Sequence, residues 1–141
     1  MSSFSDYLET GVIQHVLRGV ALSQPATIYV ALFTADPTDA NVTANEVQAA
    51  AWPAYARQDA AAGAAIATGW AAPSGGVTSN AKALTYPANN GAGSVTVTHV
   101  GLYDAITGGN LLFSAALPSS KTLSPGDVLA FAIGAITVTL Q

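Results

Sequence analysis

The apolar period of this chain changes at Pro25, and that change points to a mainly β architecture with one helix in front. Before it, Phe4, Leu8, Val12 and Val16 recur at four-residue spacing, joined by Ile13 and Leu17. This single stripe predicts an amphipathic helix over Phe4–Val20. Ser3 stands three residues before Asp6, and Asp6 three before Glu9. Either pair resembles a capping box, and both acids suit a helix N-terminus. Gly19 is the expected stop, with Arg18 near the negative helix end. Gly11 weakens the middle by up to ~1 kcal/mol. The stripe must dock, either on the chain's own sheet or on a neighbouring subunit.

After Pro25 the period is two. Ile28, Val30 and Leu32 alternate with Tyr29, Ala31 and Phe33, predicting a strand over Ala26–Thr34 that Pro37 ends. Asp36–Pro53 has no period and reads as a long loop, with a helical turn near Glu46–Ala50; loops of this length are usually functional or contact a partner. Tyr55–Asp59 and Lys82–Tyr86 read as short strands, and the Ala-rich stretch Ala64–Ala71 as a weak one. Val95, Val97, His99 and Gly101 alternate with Thr96, Thr98, Val100 and Leu102 in a strand running to Tyr103. A turn over Asp104–Asn110 leads to a strand over Leu111–Leu117. Pro118–Lys121 is expected to turn, and Ser124-Pro125-Gly126-Asp127 is a tight turn with Pro placed to pre-set φ. Val128–Leu140 is the last strand, broken or bulged at Gly134. Many short strands with regular turns predict an antiparallel β-sandwich or partly open barrel with one N-terminal α-helix. The expected organisation is a single domain, with residues 1–24 as a helical arm and 25–141 as the β-sandwich module. No internal repeat, heptad or fibre-shaft repeat is visible.

Charge narrows the function. Only 9% of the residues are charged while half are hydrophobic, against roughly 25% charged in ordinary soluble domains. A dispersed monomer usually carries more charge. The economical explanation is a surface covered by other protein, since interface cores are depleted in charge. The four cations, Arg18, Arg57, Lys82 and Lys121, are scattered, so no basic patch for nucleic acid can be built. The longest near-apolar run, Val128–Ile136, is far short of the ~18 residues of a membrane helix, and the first residues lack the pattern of a signal peptide. Without cysteine there are no disulfides and no thiolate metal sites.

Few residues suggest chemistry. There is no cysteine nucleophile and no G-x-S-x-G elbow. His99 has Asp104 and Asp127 as conceivable partners, but it reads as structural, and His15 reads as a helix-surface or interface residue. Most carboxylates fall at turns or caps, where Asp is favoured for backbone reasons. No cofactor is expected. Asp36, Asp39 and Glu46, with Asn41 and Asn45, are the weak candidates for a hard cation such as Ca²⁺; their spacing is not that of an EF-hand, and a polar loop is the plainer reading. Gly75-Gly76 and Gly108-Gly109 lack the following helix and Lys-Ser/Thr of a P-loop and read as turns. Trp52, Tyr55, Trp70 and Tyr86 offer an aromatic shelf for sugar, or core and interface anchors.

SDYLETGVIQHVL, TIYVALFTADP, the YARQ tetrad and VTHVGLYDAITGGNLLFSAAL…KTLSPGDVLAFAIGAITVTL follow one another in that order. Together they resemble a family of small tailed-bacteriophage virion proteins, often labelled tail fibre proteins. The resemblance covers most of the chain and implies a non-enzymatic structural component of the virion, assembled in the bacterial host cytoplasm. By analogy with phage appendages and cement proteins it implies a homotrimer that contacts major capsid or tail proteins. The leading expectation is a capsid-decorating, cement-type protein that stabilises the particle by binding its assembled state. The alternative is a small tail-fibre or tail-appendage subunit contacting host glycan. The interface is expected at Leu8, Val12 and Val16 of the helix and at Trp52, Tyr55 and Trp70.

Overall fold

A computed structural model of the chain describes residues 3–140. The fold is mainly β and antiparallel, with one α-helix near the N-terminus and no closed barrel. The described residues form β1 (Ser3–Phe4), α1 (Asp6–Arg18), β2 (Tyr29–Phe33), β3 (Gln58–Asp59), β4 (Val77–Ser79), β5 (Leu84–Thr85), β6 (Val95–Tyr103), β7 (Leu111–Leu123), β8 (Ala130–Phe131) and β9 (Thr137–Thr139). A five-stranded sheet has the order β1-β7-β6-β2-β3, and two separate ladders pair β4 with β9 and β5 with β8.

The period-two reading of β2 gives both of its faces. Val30 and Leu32 enter the core between the large sheet and the two ladders, beside Leu84, Leu102, Ile136 and Val138 on one side and Trp52, Tyr86 and Leu129 on the other. Ala31 and Phe33 pack on the opposite face with Tyr103 and Leu111. Both faces of the strand are therefore covered, which is why neither shows a polar residue.

Strict alternation fails in β6. Its register against β7 shifts between Val97 and His99, and this bulge changes which face the following residues occupy. Val95 and Val97 before it, and Val100 and Leu102 after it, all reach the core. Gly101 faces the other way, under the Phe33 ring. A Cβ there would lie 2.7 Å from Phe33 Cε2 and 2.9 Å from Leu111 Cδ1.

Several expected boundaries move. The strand expected over Leu111–Leu117 continues to Leu123, and Pro118 does not end it. The β6 register runs from His99↔Ala116 to Val97↔Lys121, so Leu117–Ser120 bulge out where a missing N–H costs no ladder bond. From Ala115 on, no strand among the described residues pairs with the outer edge of β7. The Ala-rich segment is a 3-10 helix over Ile66–Gly69 rather than a strand, because small side chains offer a sheet little to bury. The helical turn of the long loop falls at Thr43–Asn45, before Glu46. The last strand is split completely: β8 and β9 belong to different ladders, and Gly134 between them adopts φ 79°, a conformation open to glycine.

Two buried asparagines hold the corners where strands are too short to do so. Asn80 donates to the carbonyls of Lys82 (2.7 Å) and Ala132 (2.9 Å) and accepts from the Ile136 N–H (2.8 Å). Asn89 donates to Gly93 and Leu123 and accepts from Gly91 N–H. Segment 1–24, expected as an arm, contributes β1 to the large sheet and lays α1 along β7.

Candidate interface around the N-terminal helix

The helix start is set by Ser5 rather than Ser3. The Leu8 N–H donates to Ser5 Oγ (3.3 Å), the N-cap bond. The same hydroxyl donates to the Leu111 carbonyl, and the Ser5 N–H donates to the Leu112 carbonyl (3.1 Å). One buried serine thus fixes both where α1 begins and how it leaves the sheet. Phe4, paired with Phe113 across β1 and β7, packs against it with the rings tilted and 5.2 Å between their centres. Gly19 closes the helix in the left-handed conformation, with His15 and Arg18 in the last turn.

The apolar stripe of α1 divides. Leu8 and Val12 are half-buried and face Phe4, Leu22, Leu112 and Phe113. Gly11 supplies the close approach: a Cβ there would lie 2.7 Å from Leu22 Cδ1. Its cost in helix propensity is the condition for that packing. The adjacent flank stays open, with Ile13 57%, Val16 70%, Leu17 77% and Val20 47% exposed. Ile13, Val16 and Leu17 follow i, i+3, i+4 on one flank of the helix, and Val20 lies just past its Gly19 cap. The stripe therefore docks on its own sheet with one side only.

On the docked side of α1 lies a groove. Its first part, about 210 Å³, runs between Tyr7, Val12, Leu22, Pro25 and Phe113. It continues past Leu112, Phe113 and Leu140 into a second part of about 270 Å³ lined by Ile28, Trp70, Pro73, Val77, Leu102 and Val138. Among the described residues Asp104 is the only charged one on its walls. Tyr7, Val77 and Leu140 at its rim are 42%, 39% and 48% exposed.

The other expected interface residues are elsewhere. Trp52 has no exposed surface; its Nε1 donates to the Ala88 carbonyl (3.1 Å) and its ring abuts Tyr55 and Tyr86. Tyr55 and Tyr86 lie parallel, 6.1 Å apart, and Tyr86 donates to the Val30 carbonyl (2.8 Å). Three of the four aromatics thus form one core cluster, because their rings bury large apolar area and each polar tip finds a bond. This corrects the reading of Trp52 as a contact residue and of the four as a sugar shelf. Trp70 alone reaches the groove.

The carboxylates proposed for a cation are used otherwise. Glu46 Oε2 lies 2.7 Å from Arg57 Nη2, and its Oε1 accepts from Arg57 Nε (2.8 Å) and the Tyr55 hydroxyl (3.0 Å). Asp36 accepts from the Thr38 N–H (2.8 Å). Among the described residues no three acidic or histidine side chains gather as a metal site would require. Arg57 also donates to the carbonyls of Ala105 (2.9 Å) and Gly108 (2.7 Å). Burial opposes its charge, but Glu46 more than offsets this and holds its pKa above the ordinary value. Burial, reinforced by Glu46, pushes the Tyr55 hydroxyl far up. Burial likewise pushes Tyr103 up to about 12, with Arg57 acting against it.

His99 Nδ1 is 2.9 Å from Thr98 Oγ1, and His15 Nδ1 is 3.2 Å from the Val20 carbonyl. The proposed partners of His99 serve turns instead: Asp104 accepts from Asn110 and Asp127 from the Ser124 N–H. Among the described residues no helix is long and apolar enough to cross a membrane.

No local pattern marks the groove residues Leu112, Phe113, Val138 and Leu140, which come together through the pairing of β7 with β1 and of β9 with β4. Arg57 carried a usable signal, a lone cation inside an aromatic-rich, charge-poor segment. Comparison with curated proteins gives no match. Against protein families, residues 3–139 match the one described as podophage GP4 fiber I protein gp80. The match takes in α1 and the whole β framework, and the chain belongs to this family of phage fibre proteins, structural components of the virion.

Proposed function

We propose that this chain is a non-enzymatic subunit of a phage tail fibre or tail appendage, seated among its neighbours through α1. One observation carries the docking part: the free flank of α1 exposes three large apolar side chains, Ile13, Val16 and Leu17, and Val20 is exposed just past its cap. Leaving such a strip in water is unfavourable by roughly 25 cal/mol per Å², and contiguous exposed apolar patches mark interaction sites. The family description favours the fibre over the capsid. Residues 1–141 would work as one unit and α1 as its contact edge, with Leu8 and Val12 holding the helix and Val16 meeting the partner.

A capsid-decorating role remains the second reading, favoured by the absence of any shaft repeat in the sequence. Quantitative mass spectrometry of purified virions, scaled to the major capsid protein, separates the two. A few copies per particle, in a multiple of the tail's symmetry, supports the fibre reading. A number near the lattice count of the shell supports decoration and overturns the fibre reading. Absence from the particle overturns both.

A further inference from the structure

Asn90-Gly91 is the one Asn-Gly pair in the sequence. Such a pair is chemically frail, because a glycine carries no side chain to shield its nitrogen. That nitrogen, having given its proton to hydroxide, attacks Cγ of the preceding side chain. The Cγ–Nδ2 bond breaks, and the amide nitrogen takes a proton from water and leaves as ammonia. A cyclic imide remains. Water opens it at either carbonyl, giving aspartate or the isomer whose main chain runs through the side-chain carbon. Only water and its ions take part, and nothing is oxidised or reduced.

The packing cannot do without this glycine: a Cβ on Gly91 would run into the Ala51 carbonyl oxygen. Asn90 is exposed, so water and hydroxide reach it. The fold guards the pair by other means. The Gly91 N–H, which carries the attacking nitrogen, donates to Oδ1 of the buried Asn89 (2.9 Å). Losing its proton there would set a negative nitrogen against an oxygen lone pair. Asn90 is pinned in turn, its Oδ1 accepting from the Ala54 N–H (2.7 Å). That bond polarises the side-chain carbonyl toward attack, but it also stops the side chain from turning, and Asn89 withholds the nucleophile. Asn89 is itself anchored: its side chain donates to the Gly93 and Leu123 carbonyls (3.0 and 2.9 Å), and its main chain bonds Gly126 and Asp127.

We propose that Asn90 is a deamidation site that the fold keeps shut, so that conversion of its amide marks molecules whose 89–91 corner has opened. Ring closure needs the Gly91 N–H released and Asn90 freed to turn, and it therefore proceeds from the locally opened corner. The aspartate product can refold, since a carboxylate oxygen accepts from Ala54 as the amide oxygen did. The isomer lengthens the main chain beside Gly91, where the Ala51 oxygen leaves no room even for a methyl group, and the corner cannot close on it. This inference is independent of the docking role of α1.

The test is peptide mapping by mass spectrometry of the full chain, held at mildly alkaline pH both native and in guanidinium chloride. In denaturant Asn90 should convert before every other asparagine. In the native chain it should convert at least about tenfold more slowly, by the same factor as exchange of the Gly91 amide hydrogen is slowed. Asn89→Ala, which removes the acceptor, should raise the native rate and leave the rate in denaturant unchanged. Should that variant fold poorly, the match between conversion and Gly91 exchange in the parent decides alone. A native rate equal to or above the rate in denaturant overturns the proposal, as does native conversion faster than Gly91 exchange allows. An Asn90 that outlasts other asparagines in denaturant overturns it too, and so does a folded Asn89→Ala whose native rate is unchanged.

Discussion

The guanidinium carbon of Arg57 sits 3.5 Å from the centre of the Tyr103 ring. The same group grips both oxygens of Glu46 and two carbonyls of the loop after β6. Tyr103 in turn donates to Asn41 of the long loop. One side chain thereby ties the loops of residues 36–47 and 104–110 to the sheet. Removing one member of a buried pair leaves the other uncompensated, at about 3–5 kcal/mol. Arg57→Ala should lose about that much stability in urea unfolding. Arg57→Lys should recover only part, since an ammonium cannot serve a fork, two carbonyls and a ring together. A lysine variant as stable as the parent would contradict this account.

Trp52→Ala should be destabilising by about 3–5 kcal/mol, as expected for a large ring removed from a packed core. Trp70→Ala, at the half-open groove, should cost less. Equal and negligible costs for the two would mean that Trp52 is a surface residue after all.

Gly101→Val should cost about 1–3 kcal/mol or more from overpacking against Phe33 and Leu111. Gly93, whose Cβ position is open, provides the control: Gly93→Ala should leave the unfolding midpoint nearly unmoved.

Asp59 accepts from the Thr27 hydroxyl (2.6 Å) and from the N–H groups of Ala61 and Gly63 (both 2.8 Å). Burial pushes its pKa up, but these bonds and Lys82 outweigh it, and the carboxyl is held below its ordinary value of 3.8. A depressed folded value favours the ionised form in the native state. Its contribution is therefore complete above the unfolded value and is lost as pH falls through the folded one. Asp59→Asn should flatten that acid limb of the stability curve. An unchanged limb would assign it to other carboxylates.

Chelator should leave the melting temperature unmoved, because Glu46 is committed to Arg57 and Asp36 to its own turn. A drop of several degrees would restore a cation to the long loop.

Local chemistry accounts for what could be read in advance. The alternation of β2, the tight turn at Ser124–Asp127 and the single amphipathic helix depend on neighbours in sequence; all three form, with the helix shortened to Asp6–Arg18 and the strand to Tyr29–Phe33. The β6 bulge was visible too, in the three-residue step from Val97 to Val100, but a strict period-two reading passes over it. Pro118 misled because proline ends a strand only where its N–H is needed. The split of the last strand, the Glu46–Arg57 pair and the groove depend on which strands meet. Trp52 shows the limit most clearly: an aromatic residue in a polar loop looks exposed until Tyr55 and Tyr86 close over it.

The uncovered rim of β7 bears on life in a crowd. From Ala116 to Thr122 its outer edge is paired by no strand among the described residues, the kind of edge on which a stray strand can nucleate a fibril. The bulge that holds Pro118 and the ammonium of Lys121 make that edge a poor template. A chain with so little charge to keep its copies apart can then be held at the high local concentration of an assembling particle, and its copies meet through the surfaces chosen for meeting rather than zipping together along the backbone.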